Sequence, residues 1–180
     1  AATLSFDGSN DHIEVSGVGD DLGPKSGDAF TWEAWIKSPD VSSARTILSM
    51  GDNSGAGSVG LFRLNSTGKL YFESITQAQV TATPVLDDDE WHHVAVVYDG
   101  SQAQLVIDGP GYGKITMSPN VSSGDIRIGA DHAGSNTFNG EIADVRVWND
   151  ARTIDEINTY KDTVLSGDET GLTAYWKLNE

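Results

Sequence analysis

Oxygen donors are the side chains of this sequence best suited to chemistry. Asp7, Asn10 and Asp11 stand together near the start, and Asp144 lies late in the chain among Ala143, Val145 and Val147. Calcium takes about six to eight oxygens from carboxylates, amides and backbone carbonyls, so this set predicts a Ca²⁺ site. Asp144 sharpens the expectation, because a carboxylate buried among apolar neighbours is costly unless a cation or an arginine meets it. The plainer alternative is that Asp7 and Asp11 cap turns and Asp144 forms a salt bridge.

Other motifs point away from catalysis. Gly55 to Gly60 spells G-x-G-x-x-G, but Leu61-Phe62-Arg63-Leu64 comes next, which reads as a strand. Dinucleotide binding needs a helix to open at those glycines, so a loop is expected there. His92 and His93 are adjacent in a strand-like run and must point to opposite faces, which prevents them from sharing one metal ion. No G-x-S-x-G elbow is present for a hydrolase serine. The acidic run Asp87 to Glu90 precedes Trp91 and reads as a solvated loop.

The elements that position these residues are strands. From Phe30 to Lys37 one face carries Phe30, Trp32, Ala34 and Ile36 and the other Thr31, Glu33, Trp35 and Lys37. That period of two is a half-buried strand, with Trp35 on the unexpected face. Similar runs cover 45–50, 59–64, 70–73, 91–98, 104–108, 125–128, 141–148 and 172–178. Asp-Gly and Asn-rich connectors at 65–68, 98–101 and 108–111 supply hairpin turns. About a dozen short strands imply an all-β, two-sheet antiparallel β-sandwich. The exception is Thr153 with Glu156 three residues later, a capping box that predicts one short helix late in the chain, over 154–162.

Composition bounds the partners. The 180 residues read as one domain, 1–180, with enough Trp, Tyr and Phe to fill a core. A formal net charge of −16 repels nucleic acid and anionic lipid headgroups and attracts cations. The chain has no cysteine, so thiolate metal sites, disulfides and thiol nucleophiles are excluded. No stretch approaches the ~20 apolar residues of a membrane-spanning helix, so membrane insertion is not expected. The opening Ala1 to Phe6 lacks signal-peptide character, which suggests a mature protein or a piece of a larger one. Asn65-Ser66-Thr67 and Asn120-Val121-Ser122 are glycan acceptor sequences only on a eukaryotic secretory route.

Five segments in order carry a resemblance. They are Phe6-Asp7-Gly8-Ser9-Asn10-Asp11-His12-Ile13, Phe30-Thr31-Trp32-Glu33-Ala34-Trp35-Ile36-Lys37, residues 90–100, Ile107-Asp108-Gly109, and residues 138–149. The chain resembles the laminin-G-like jelly-roll domains of the concanavalin A-like superfamily, relatives of the pentraxins. The resemblance implies two curved antiparallel sheets, often one or two calcium ions, and a binding role toward carbohydrate or protein. It places a calcium seam where the first and last strands pair, near Asp7, Asn10, Asp11 and Asp144. It also implies a second, ligand-bridging calcium site at Asp52, Asn53 and Asp131, although Ala130 stands where the family has a further acidic residue. Glycosidases on such sheets carry E-x-D-x-E or a near variant, and this chain has none. The expectation is therefore a non-catalytic, calcium-stabilised extracellular module, monomeric, from a larger secreted or surface protein of bacterial origin. Its ligand would be a carbohydrate or cell-surface glycan, in a binding or adhesive role, the alternatives being a non-catalytic structural spacer or a glycan-active enzyme of the same fold. Trp35, Tyr71, Tyr112 and His132 are aromatic residues outside the clearest core alternation. Tyr112, His132, Asp131 and Asp52 form the expected ligand site, whereas Trp35 is expected to pack under the helix or a loop.

Overall fold

The computed structural model describes residues 3–39, 41–121 and 123–179. Its elements are β1 (Leu4–Asp7), β2 (Ile13–Val15), α1 (Gly19–Leu22), β3 (Phe30–Lys37), β4 (Arg45–Gly51) and β5 (Val59–Leu64). Next come β6 (Lys69–Ser74), β7 (Ala78–Val85), β8 (Trp91–Tyr98), β9 (Gln102–Ile107) and β10 (Gly111–Thr116). The chain closes with β11 (Asp125–Ile128), β12 (Asn139–Trp148), α2 (Ile154–Tyr160) and β13 (Leu172–Trp176).

The strands make two antiparallel sheets. One runs β1-β12-β3-β8-β9-β10, with β13 also paired to β12; the other runs β2-β11-β4-β5-β6-β7. The inward faces meet in a core that includes Trp32, Phe62, Phe72, Phe30 and Tyr98. This is the expected two-sheet sandwich. Gly60 shows how tightly the sheets approach: a Cβ there would sit 2.6 Å from the Trp32 ring.

The first sheet is buried on its second face as well. The capping box forms as expected, with Glu156 N–H donating to Thr153 Oγ1 at 3.2 Å and Thr153 N–H donating to Glu156 Oε2 at 2.8 Å. The capped helix lays Ile157 and Ile154 over Ala95, Val97 and Val106. It ends at Tyr160, two residues sooner than the sequence predicts. The next carbonyl, of Lys161, accepts the Trp35 indole N–H at 2.9 Å, so the chain is held down on the sheet.

The ladder between β12 and β3 is broken at one point. Ala143 faces Trp35 and Arg146 faces Glu33, so an extra residue is accommodated in β12. Such a bulge re-aims the side chains around it. Asp144 lies in it with φ +50, in the left-handed region that few non-glycine residues occupy.

Candidate functional site

The bulge opens onto a shallow cavity of about 390 Å³ lined by Thr3, Trp35, Trp91, Ala143, Asp144 and the stretch 161–164. Trp35 lies opposite His93, and Trp91 lies opposite Lys37. The two indoles are therefore diagonal neighbours on one face of a strand pair, close enough for large rings to share a ligand. Trp91 is 36% exposed and Val164 is 71% exposed. Asp144 Oδ1 accepts the Tyr175 hydroxyl at 2.7 Å, and Asp144 N–H donates to the Lys177 carbonyl at 3.1 Å. Burial first, then the hydrogen bond and charge of Asp144, push the Tyr175 phenol up, so it remains the donor. The second carboxylate oxygen of Asp144 has no hydrogen-bond partner among the described residues.

A buried polar cluster supports this pocket from below. Glu33, only 3% exposed, accepts the Trp148 indole N–H at 2.8 Å and lies 3.0 Å from His93 Nε2 and 3.6 Å from Arg146. Burial pushes the Glu33 carboxyl up, but the hydrogen bond and charge of His93, then Arg146 and Trp148, outweigh it and hold it below its ordinary value. Arg146 donates to the carbonyls of Tyr160 at 3.0 Å and Thr163 at 2.8 Å, which fixes one wall. His93 meets the Trp35 ring edge-on at 5.3 Å. The floor is rigid.

The expected calcium sets are not brought together. Asp7 pairs with Asn139, five residues along β12 from Asp144. That separation is roughly 16 Å at the strand rise. Asp144 meets a tyrosine hydroxyl rather than an arginine. In the 7–12 loop, Asp7 Oδ1 accepts the Ser9 N–H at 2.8 Å and Asp11 Oδ2 accepts the Asp7 N–H at 3.1 Å. The Asn10 carbonyl lies 3.0 Å from His12 Nδ1. Arg45 donates to the Gly8 carbonyl at 3.3 Å, so a cationic side chain already occupies that side.

The second set divides in the same way. Gly51 pairs with Asp125 and Leu48 with Ile128, while Gly129 N–H reaches the Ile47 carbonyl. Asp52 and Asn53 therefore lie past one end of β4 and the 129–136 loop lies at the other. Asp52 accepts from Ser54 N–H at 2.9 Å and from the Ser123 hydroxyl, and these hold its carboxyl low. Asn53 takes φ +59 in the turn. Asp131 is 5% exposed and caps its own loop, accepting from Ala133 N–H, Ser135 N–H and Asn136 Nδ2 at 2.7–2.9 Å. Burial pushes Asp131 up, but those donors prevail and hold it low. Among the described residues no three His, Cys, Asp or Glu side chains gather into a set that could hold a metal. Asp7, Asn10 and Asp11 thus share one loop, whereas Asp144 stands apart from them and Asp52 stands apart from Asp131.

The remaining expected ligand residues also scatter. His132 comes directly after Asp131, with its carbonyl accepting from Arg127 and its Nδ1 buried without a partner among the described residues. Tyr112 pairs opposite Leu105 and packs half-buried against the core. Its strand, β10, contacts β7, four strand positions across the sandwich from β11. Four such spacings are about 19 Å. Trp35 does tuck beneath the chain after α2, as expected, and it also lines the cavity. Tyr71 is buried on the outer face of the second sheet under Arg63, whose guanidinium is 5.0 Å from its ring, and burial pushes its phenol up to about 12. His92 and His93 part as predicted: His93 is buried at Glu33, while His92 sits between Asp108 at 2.7 Å and Asp88 at 3.1 Å. The acceptor sequence at Asn120 ends on Ser122, outside the described residues.

Trp91 is the pocket residue that the sequence reading leaves out. Its signal was present: in an antiparallel pair Trp91 and His93 fall on the same face as Trp35 and Lys37.

Among solved structures, a Bacteroides ovatus protein assigned as carbohydrate-binding superposes with a TM-score of 0.74 at 22% identity. The match covers 98% of this chain and 51% of that one, so this chain spans about half its length. The CBM40 of the Ruminococcus gnavus IT-sialidase, bound to α2,3 sialyllactose, matches with a TM-score of 0.68 at 14% identity, over 88% of this chain and 95% of its own. Domain 4 of AbnA, a GH43 extracellular arabinanase from Geobacillus stearothermophilus in complex with arabinotriose, matches at 0.67 and 15% identity, over 87% and 75%. At these identities the likeness concerns the fold. A search of curated proteins finds no match. No helix among the described residues is long and apolar enough to cross a membrane, which leaves strand-built membrane proteins unaddressed. The Laminin_G_3 family model, of the concanavalin A-like lectin/glucanases superfamily, matches residues 7–158, and the chain belongs to that family.

Proposed function

We propose that this chain is a non-catalytic carbohydrate-binding module of a larger extracellular protein, and that the Trp35–Trp91–Asp144 pocket is its sugar site. The observation that carries this reading is the pairing of two diagonal indoles with a carboxylate that keeps one oxygen free. Aromatic faces take the apolar faces of sugar rings, and a fixed carboxylate accepts hydrogen bonds from their hydroxyls. The rigid floor lowers the ordering cost on binding. The glycan complexes known for two of the structural relatives are consistent with this use of the fold. An extracellular address fits the family and the arabinanase neighbour. The proposal does not rest on calcium, since the 7–11 loop lies far along β12 from Asp144.

A glycan array with calorimetric titration of the hits tests it. Saturable binding without turnover of the bound glycan is the expected outcome. Absence of binding across the array, or release of reducing sugar from a bound polysaccharide, would overturn it.

A further inference from the structure

Resting on that reading, we infer that the pocket accepts neutral glycans, recognised through hydroxyl groups, and rejects sialylated, uronate and sulfated ones. The cation that lines it and the one beneath it are already engaged. Lys161 is the cation among the lining residues, and its Nζ lies 2.5 Å from Asp162 and 5.4 Å from the centre of the Trp35 ring. Arg146 lies beneath the floor with its side chain 1% exposed, directed at the carbonyls of Tyr160 and Thr163 and at Glu33. Lys37, opposite Trp91, is 3.9 Å from Asp89, and Lys177 lies over the Tyr175 ring.

An anionic sugar needs a free fork of donors or an unpaired ammonium, and Lys161 in the lining and Arg146 beneath it leave neither. Acids outnumber cations at the cavity. Asp144 and Asp162 line the cavity, and Glu141 beside them accepts the Thr3 hydroxyl. The Asp144 carboxylate can accept a hydrogen bond from a sugar hydroxyl but offers no donor to a sugar carboxylate. The chain's net charge of −16 adds long-range repulsion of anions.

The test is calorimetric titration of the 180-residue chain with neutral oligosaccharides (gluco-, manno-, galacto-, xylo- and arabino-trioses) and with 3′-sialyllactose and a uronate trimer. Trp91→Ala and Asp162→Asn are titrated in parallel. Trp91 is exposed enough for its variant to fold, which its melting temperature checks. We expect at least one neutral trimer to bind, with affinity falling about tenfold or more in Trp91→Ala, as truncation of an aromatic anchor does. The anionic sugars should not bind the parent chain, and Asp162→Asn, by releasing Lys161, should admit them weakly. Sialyllactose binding that matches the neutral trimers and is lost in Trp91→Ala would overturn the inference while leaving the pocket as the site. Glycan binding indifferent to Trp91→Ala would overturn both, and leave only a sugar module with its site elsewhere. Failure of every sugar would remove the functional reading as well.

Discussion

Tyr175 on β13 donates its hydroxyl to Asp144 in the bulge of β12, at 2.7 Å, and so fixes a carboxylate of the aromatic pocket. Tyr175→Phe removes a single hydrogen bond to a charged acceptor. Stability should fall by about 1–2 kcal/mol. Glycan affinity should fall more noticeably, by roughly tenfold, because the carboxylate loses its set position. Urea unfolding and calorimetry measure the two effects separately. An unchanged affinity would show that Asp144 does not need its anchor.

The buried Glu33 predicts acid sensitivity. Its carboxyl is held below the ordinary 4.5. The ionised form therefore favours the folded state: its stabilisation is fully present above that ordinary value and is lost as pH falls through the lower folded one. Glu33→Gln leaves Arg146 without its charge partner in the interior and should cost about 3 kcal/mol at pH 7. The difference between parent and variant should shrink on going to pH 3. Urea unfolding at both pH values measures it, and a constant difference would count against the ion cluster.

Metal removal gives the next outcome. Since Asp7, Asn10 and Asp11 lie far along the register from Asp144, and Asp52 from Asp131, chelation should leave the melting temperature unmoved. A site held at about a hundred times its dissociation constant would contribute about 2.7 kcal/mol. Loss of that much would lower melting by several degrees. A drop of this size with EDTA, restored by Ca²⁺, would mean that the carboxylates rearrange around an ion.

The glycine run at 55–60 yields a packing prediction. A Cβ on Gly60 would meet Trp32 at 2.6 Å, whereas one on Gly55 meets nothing within 4 Å. Gly60→Ala should therefore destabilise by about 1–3 kcal/mol through overpacking. Gly55→Ala should be near neutral. Thermal melts of both variants compare them.

Much of the sandwich was legible because strict alternation marks strands such as β3 and β8, and Thr153 with Glu156 marks the helix. β7 was not, since Val80 and Ala82 are small inward residues between Gln79, Thr81 and Thr83, and Pro84 interrupts the pattern. β10 was missed as well, its Gly111-Tyr112-Gly113 start following directly on the turn at 108–111 and carrying no apolar alternation. The site was harder for a different reason. Unbroken alternation through β12 would place Ile142, Asp144, Arg146 and Trp148 on one face. The bulge slides the phase, so Val145 and Val147 join Ile142 in the core while Arg146 and Trp148 reach Glu33 outside. Asp144 was visible as a carboxylate in need of a partner, yet its partner depends on that slip. Asp52 and Asp131 looked like ligands because turn-capping aspartates have the same sequence signature as metal-binding ones.

The central claim, that sugar stacks on the Trp35–Trp91 face, is tested most directly by tracking the indole N–H signals in a nuclear magnetic resonance titration with a bound neutral oligosaccharide. Saturable shifts at Trp91 and Trp35, with Trp32 and Trp148 in the interior nearly still, are the outcome predicted. A ligand that binds while both pocket indoles keep their positions would contradict the account.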